Sequence, residues 1–309
     1  MKIAIIDCGT NTFHLLIVSL TEKNKFTTLY KTKVAVKLGE GGITKQFISA
    51  AAFERGINTL KKFVVKIESY KPDRTVAYAT AAVRQAKNGK DFINAADSIG
   101  ITIQLITGKK EAELIYYGVR EALHLGDELS LIMDIGGGSV EFIICNRNQL
   151  CWKHSFKSGA AYLLEKINPS DPIKGEEINK LNAYLLDKLS PLLNACRKYK
   201  PRNLVGSSGS FDTFADMISA MKHQKPLISK LSYQFQMDEY DLIHRMLLHT
   251  TLQERYHMKG LIRMRADMIV LASLLLTFVL DQTGIKQMFL SKYALKEGML
   301  FELMSNNSE

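Results

Sequence analysis

Residues 6–18 read IDCGTNTFHLLIV, and residues 133–145 read MDIGGGSVEFIIC. Laid over each other without a gap, both give an apolar residue, Asp, any residue, Gly, two more, Ser or Thr, one more, a polar residue and then an apolar run. The shared Asp7 and Asp134 stand 134 − 7 = 127 positions apart. Self-similarity of this kind marks a duplicated unit, and 309 residues suffice for two.

The order of elements also runs twice. Apolar patterning predicts strands at about 2–8, 13–20 and 26–38, then a helix from Ser49 with Phe53, Ile57, Leu60, Val64 and Ile67 on its apolar face. A strand at 75–80, helical segments within 81–98, a strand at 101–106 and a helix over 109–123 follow. The order restarts at 129, with strands at 129–135, 139–146 and 149–157 and helices over 160–167 and 175–199. A strand at 202–207, a helix over 211–221, further helices between 238 and 281, a strand at 288–291 and a helix over 294–304 complete the chain. Antiparallel strands followed by alternating helices and strands predict an α/β unit, present as two copies that face each other across a cleft.

The formal charge of +10 predicts an anionic partner. Lys and Arg are scattered along the chain, so nucleic acid rests on net charge alone and is not expected as the partner. The longest apolar run, MIVLASLLLTFVL at 268–280, is too short to cross a bilayer and predicts a buried helix, so no membrane partner is expected. The start, MKIAIID, has no h-region or cleavage site. Cys8, Cys145, Cys151 and Cys196 form no CxxC pair or zinc spacing, and are expected as reduced thiols in a cytoplasmic protein.

A strand that ends in Asp and turns through Gly and Ser/Thr exposes backbone N–H groups, and glycine lets the main chain approach an anion closely. The loops at Gly9, Thr10, Asn11 and Thr12 and at Gly136, Gly137, Gly138 and Ser139 are therefore candidate phosphate sites. A carboxylate beside phosphate needs a cation between them, which makes Asp7 and Asp134 candidate Mg²⁺ ligands. Gly206-Ser207-Ser208-Gly209-Ser210 is not GxSxG; Ser208 and Gly209 suit a third anion loop between a strand and a helix. Glu111 falls in the first turn of a predicted helix, where a carboxylate also serves the helix N-terminus. Arg84 opens a helix after a strand, suiting either a phosphate fork or a surface ion pair. The chain has no P-loop, no GxGxxG and no HExxH.

With these residues in view, AIIDCGTNTFHLLIV and MDIGGGSVEFII resemble the two phosphate loops of the exopolyphosphatase and guanosine pentaphosphatase family. ATAAVRQA is similar to the segment bearing that family's phosphate-binding Arg, and GKKEAELIYYGV to the one bearing its catalytic Glu. LGEGG at 38–42, RADMI at 265–269 and SKYALKEGML at 291–300 extend the resemblance along nearly the whole chain. It implies two duplicated ribonuclease-H-like domains, as in actin, sugar kinases and heat-shock ATPases, with lobes at 1–124 and 125–293 and the terminal helix 294–309 a candidate member of the first. It implies Glu111 as general base, Arg84 and both loops on the phosphates, and Asp134 and Glu141 supporting the metal. Glu111, Asp134 and Arg84 are thus the expected catalytic set, with Asp7, Asp134 and Glu141 around Mg²⁺ and K⁺ a candidate activator. The family often has two adjacent glutamates where this chain has Lys110-Glu111, and Ser where it has Thr10 and Thr12.

The expected activity is Mg²⁺-dependent release of terminal orthophosphate from polyphosphate, with guanosine pentaphosphate as a second substrate and a homodimer as the assembly. The alternatives are an ATP-dependent small-molecule kinase of the same fold and a non-catalytic sensor of phosphate-rich ligands.

Overall fold

The computed structural model describes residues 1–21, 25–223 and 230–306. Ile3, Ala4, Ile5 and Ile6 form an unbroken apolar run, as expected for a strand covered on both faces, and all four are fully buried in β1 (Lys2–Cys8). β2 (Thr12–Leu20) pairs antiparallel with β1 in a register that sets Asp7 opposite His14. β3 (Phe26–Ala35) continues the meander and stops short of the expected residue 38, because Lys37 turns with a left-handed φ of 48°. The long helix α1 (Ala50–Tyr70) is capped by the Ser49 hydroxyl, which accepts from the Ala52 N–H at 3.4 Å. Its most buried residues are Ala52, Gly56, Thr59, Leu60 and Phe63. The expected Phe53, Ile57, Val64 and Ile67 flank that line. Small side chains occupy the closest approach: a Cβ on Gly56 would stand 2.7 Å from the Phe92 ring.

β4 (Arg74–Ala79) lies parallel to β1, and the short α2 (Ala81–Gln85) and α3 (Gly89–Asp97) lead to β5 (Ile103–Leu105). β5 is shorter than the expected 101–106 because its ladder with β4 covers only Ile103 to Leu105. The first sheet has the order β3-β2-β1-β4-β5 among the described residues. α4 (Gly108–Ala122) then leaves its edge.

The second sheet begins with the same meander. β6 (Ser130–Ile135), β7 (Val140–Cys145) and β8 (Leu150–Phe156) are antiparallel, and Asp134 faces Glu141 across β6 and β7. After α5 (Ala160–Ile167), the expected single helix over 175–199 is two, α6 (Gly175–Lys188) and α7 (Ser190–Tyr199). Pro191 lies in the first turn of α7, where its missing N–H is harmless, and it interrupts the helical ladder between the two. β9 (Asn203–Ser207) runs parallel to β6 and feeds α8 (Ser208–Met221). β10 (Ser232–Phe235), which the sequence pattern does not announce, is a four-residue edge strand against β11. α9 (Met237–His249), α10 (Leu252–Arg255) and α11 (Ile269–Thr283) precede β11 (Gln287–Ser291), and α12 (Leu295–Asn306) ends the described chain. The apolar run expected as a core helix is α11, buried on nearly every side. Among the described residues no helix is long and apolar enough to cross a membrane.

α12 packs against α4 and β1, so the chain ends beside the first sheet; residues 307–309 of that expected segment lie outside the described residues. The two helices cross backbone to backbone, since a Cβ on Gly298 would meet the Leu114 carbonyl oxygen at 1.7 Å and one on Gly118 the Ala294 carbonyl oxygen at 2.3 Å. A single apolar cluster joins Ile3, Ile5 and Leu16 of the first sheet, Ala112, Ile115 and Val119 of α4, and Ile132, Ile143 and Val205 of the second. The protein is thus two α/β, ribonuclease-H-like lobes with α4 and α12 between them.

Candidate functional site

The two hairpins meet at a cavity of about 700 Å³ lined from both lobes. Their turns have the same geometry. A Cβ on Gly9 would stand 2.8 Å from the Thr12 carbonyl oxygen, and one on Gly136 2.9 Å from that of Ser139, so each turn closes only around glycine. The loops also touch each other: a Cβ on Gly137 would lie 3.1 Å from Cβ of Thr10, and one on Gly138 2.6 Å from its Oγ1. Asp7 Oδ1, Thr10 Oγ1 and Asn11 Nδ2 are buried here without a hydrogen-bond partner among the described residues. Such groups are costly to leave unmade, and they mark a surface built to meet oxygen-rich or cationic chemistry.

Six carboxyls line the cavity: Asp212 and Asp216, and between the two glycine loops Asp7, Glu111, Asp134 and Glu141. Burial pushes Asp7 up to about 7 against the attraction of Lys296, with Glu111 and Asp134 adding to the rise. Burial likewise pushes Glu111 up to about 7, opposed by the Arg84 guanidinium. Asp134 is raised by burial but steadied by the hydroxyls of Ser207 and Ser208, which donate to Oδ2 at 2.6 and 2.7 Å. Glu141 is raised well above the usual range by burial and then by Glu111 and Asp134, and Ser155 donates to its Oε1 at 2.6 Å.

Among the described residues no group of three or more His, Cys, Asp or Glu side chains is spaced to enclose a metal ion. An all-protein cage is therefore not the fit. Mg²⁺ binding through one or two carboxylates, with phosphate and water oxygens completing its shell, suits the donor set, and Asp7 Oδ1 and the Asp134 carboxylate are the available oxygens.

Glu111 does not cap its helix. The Thr107 hydroxyl accepts from the Lys110 N–H at 3.2 Å and does that work, while the Glu111 side chain turns inward and is 6% exposed. Arg84, expected on phosphate, sits behind Glu111: its Nη1 donates to Glu111 Oε2 and to the Ile106 carbonyl oxygen, each at 2.9 Å. The expected third anion loop is also engaged. Ser208, at a left-handed φ of 68°, serves Asp134, and the Arg265 guanidinium covers Gly209, with Nη2 only 1.7 Å from where a Cβ would stand.

Sequence reasoning missed a set of cations around this cavity, among them Lys31, Lys33, Arg265, Lys292 and Lys296. Lys31 and Lys33 alternate along β3 and so share one face, a pattern visible in the sequence. Arg265, Lys292 and Lys296 lie in the RADMI and SKYALKEGML segments, which carry part of the family resemblance but no residue role within it. Burial lowers the ammonium groups of Lys31 and Lys33, with Lys296 and Arg265 respectively adding to the effect. His14 is held neutral, well below the usual imidazole range, by burial and then by Lys296 and Arg265. The cavity thus sets cations around a core of carboxyls that burial raises.

Known proteins share this fold. An exopolyphosphatase from Cytophaga hutchinsonii is 38% identical, with 99% of this chain and 98% of that chain covered, at a TM-score of 0.96. The PPX-GPPA enzyme of Aquifex aeolicus, 23% identical with 98% and 99% of the two chains covered, shares the fold at a TM-score of 0.80. The model of the Ppx/GppA phosphatase family matches residues 16–307, and the chain belongs to that family.

Proposed function

We propose that the chain is a Mg²⁺-dependent exopolyphosphatase that hydrolyses the terminal phosphoanhydride of polyphosphate, with Glu111 as the base. The observation that carries this reading is Glu111 itself: a buried carboxyl, clamped by Arg84 and pushed up to about 7, in one cavity with both glycine loops. A base near that value accepts a proton efficiently at neutral pH. Backbone N–H groups of the loops at 9–12 and 136–139, with Thr10 and Asn11, take the oxygens of the terminal phosphate. When bound, Mg²⁺ neutralises charge building on those oxygens. Water forms the new O–P bond, its proton goes to Glu111, the bridging P–O bond breaks, and the shortened polyphosphate leaves. Lys31, Lys33 and Arg265 attract the polyanion and offset its charge in the cleft.

The test is orthophosphate release from polyphosphate, guanosine pentaphosphate and ATP, assayed side by side with Mg²⁺. Turnover of polyphosphate above the other two is the expected result. A preference for guanosine pentaphosphate would transfer the same mechanism to that substrate. ATP consumption only with a phosphorylated small acceptor would make the chain a kinase, and binding without release would make it a sensor.

A further inference from the structure

The face of β8 that carries Lys153 and Ser155 meets the first turns of α4. Ser155 lies opposite Glu141 in the β7–β8 ladder, and its hydroxyl donates to Glu141 Oε1 at 2.6 Å. Its other side abuts Gly108, the first residue of α4: a Cβ there would stand 2.4 Å from Cβ of Ser155 and 2.6 Å from its Oγ. Any larger residue at 108 would push α4 off the strand. Two residues away, Lys153 pairs with Glu113 on the same helix. α4 carries Glu111 and follows the first sheet, whereas β8 belongs to the second. Ser155 therefore touches both halves of the carboxyl pair, one through its hydroxyl and one through the seat of the helix.

We infer that Ser155 is a positioning residue for hydrolysis, fixing Glu141 through its hydroxyl and seating α4 through its Cβ, so that Glu111 and Glu141 keep one mutual geometry. The inference rests on the reading of Glu111 as base. Nothing in the sequence motifs singles out Ser155, which lies between the second glycine loop and α5. Its role comes from the close approach at Gly108. Supporting groups of this kind are worth about 10- to 100-fold in activity when removed.

Ser155→Ala removes the hydroxyl and leaves the seat. The expected result on polyphosphate is a fall in kcat of about 10- to 100-fold, with KM within about twofold and only a small fall in melting temperature, since the lost group is one partly buried hydroxyl and its hydrogen bond. Gly108→Ala keeps the hydroxyl and spoils the seat, and lowers kcat in the same way. In a double-mutant cycle, Ser155→Ala adds nothing once Glu141→Gln has removed the carboxyl that the hydroxyl holds. A merely structural Ser155 would give wild-type kcat per folded molecule and effects additive with Glu141→Gln; either outcome overturns the inference. An inactive wild-type chain on polyphosphate would instead overturn the proposed function, so the two failures are distinguishable even where Gly108→Ala does not fold.

Discussion

The two hairpins are copies in backbone and opposites in chemistry. Gly9 and Gly136 close their turns against Thr12 and Ser139 with nearly equal clearances, and Asp7 and Asp134 end equivalent strands. Seven residues on, at the cross-strand partner of each Asp, the first lobe has His14 and the second has Glu141. Asp134 receives two hydroxyls, whereas Asp7 has an oxygen with no partner and a carboxyl pushed up to about 7. One lobe presents a restrained acid beside a second acid. The other presents an unrestrained acid beside a neutral imidazole and a row of lysines. Duplication supplied the frame, and the neighbours each loop acquired decided its role.

The largest expected effect breaks the comparison at the helix between the lobes. Glu111→Gln keeps the shape of the side chain and its hydrogen bond to Arg84 but removes the proton acceptor, so kcat should fall by about 10²–10⁴-fold. Its melting temperature should stay close to wild type, because Thr107 and not Glu111 caps α4. Thr107→Ala should do the reverse, losing about 1 kcal/mol of stability and keeping turnover per folded molecule. A stable Glu111→Gln enzyme of wild-type rate would remove Glu111 from the mechanism.

The second test sharpens the contrast between the two aspartates. Because Asp7 is raised in the folded protein, its contribution to stability is full below about pH 4 and is lost as pH rises through about 7. At pH 8 without Mg²⁺, Asp7→Asn should therefore stabilise the chain, by up to about 4 kcal/mol for a shift of that size. Asp134→Asn should gain less, because two hydroxyls already stabilise that carboxylate. Melting curves of both variants at pH 5 and pH 8 check the prediction. Equal gains would mean that the hydroxyls of Ser207 and Ser208 do not distinguish the loops.

The smallest effect concerns how the lobes are held together at the cleft. Lys37, from the first lobe, donates to Asp267 of the second at 2.6 Å, and the Thr44 N–H donates to Glu165 across the same gap at 3.1 Å. Both members of the ion pair are partly exposed, so Lys37→Met should cost less than about 1 kcal/mol. Its signature should be a modest change in KM for polyphosphate with kcat unchanged, measured at low salt where such a pair is least screened.

The sequence by itself determined the duplication, the order of elements and the two glycine loops, because these depend on local patterning: apolar period, turn chemistry and a 127-residue offset. The motifs also singled out Asp7 and Asp134, and the family resemblance added roles for Glu111 and Glu141; the structure brings all four into one cavity. Local patterning could not show what each of them touches. That Arg84 lies under Glu111, that Ser207 and Ser208 hold Asp134, and that Arg265 covers Gly209 are contacts between residues 27 to 74 positions apart. Nor could it separate Lys31 and Lys33 from any other surface lysines, since their role comes from facing Lys296 and Arg265 across the cleft. The split of 175–199 at Pro191 was readable; the edge strand β10 was not, for a four-residue strand is defined only by the partner it finds. Tertiary structure decided the chemistry because charge, burial and hydrogen bonding are properties of a neighbourhood, and the neighbours here come from both ends of the chain.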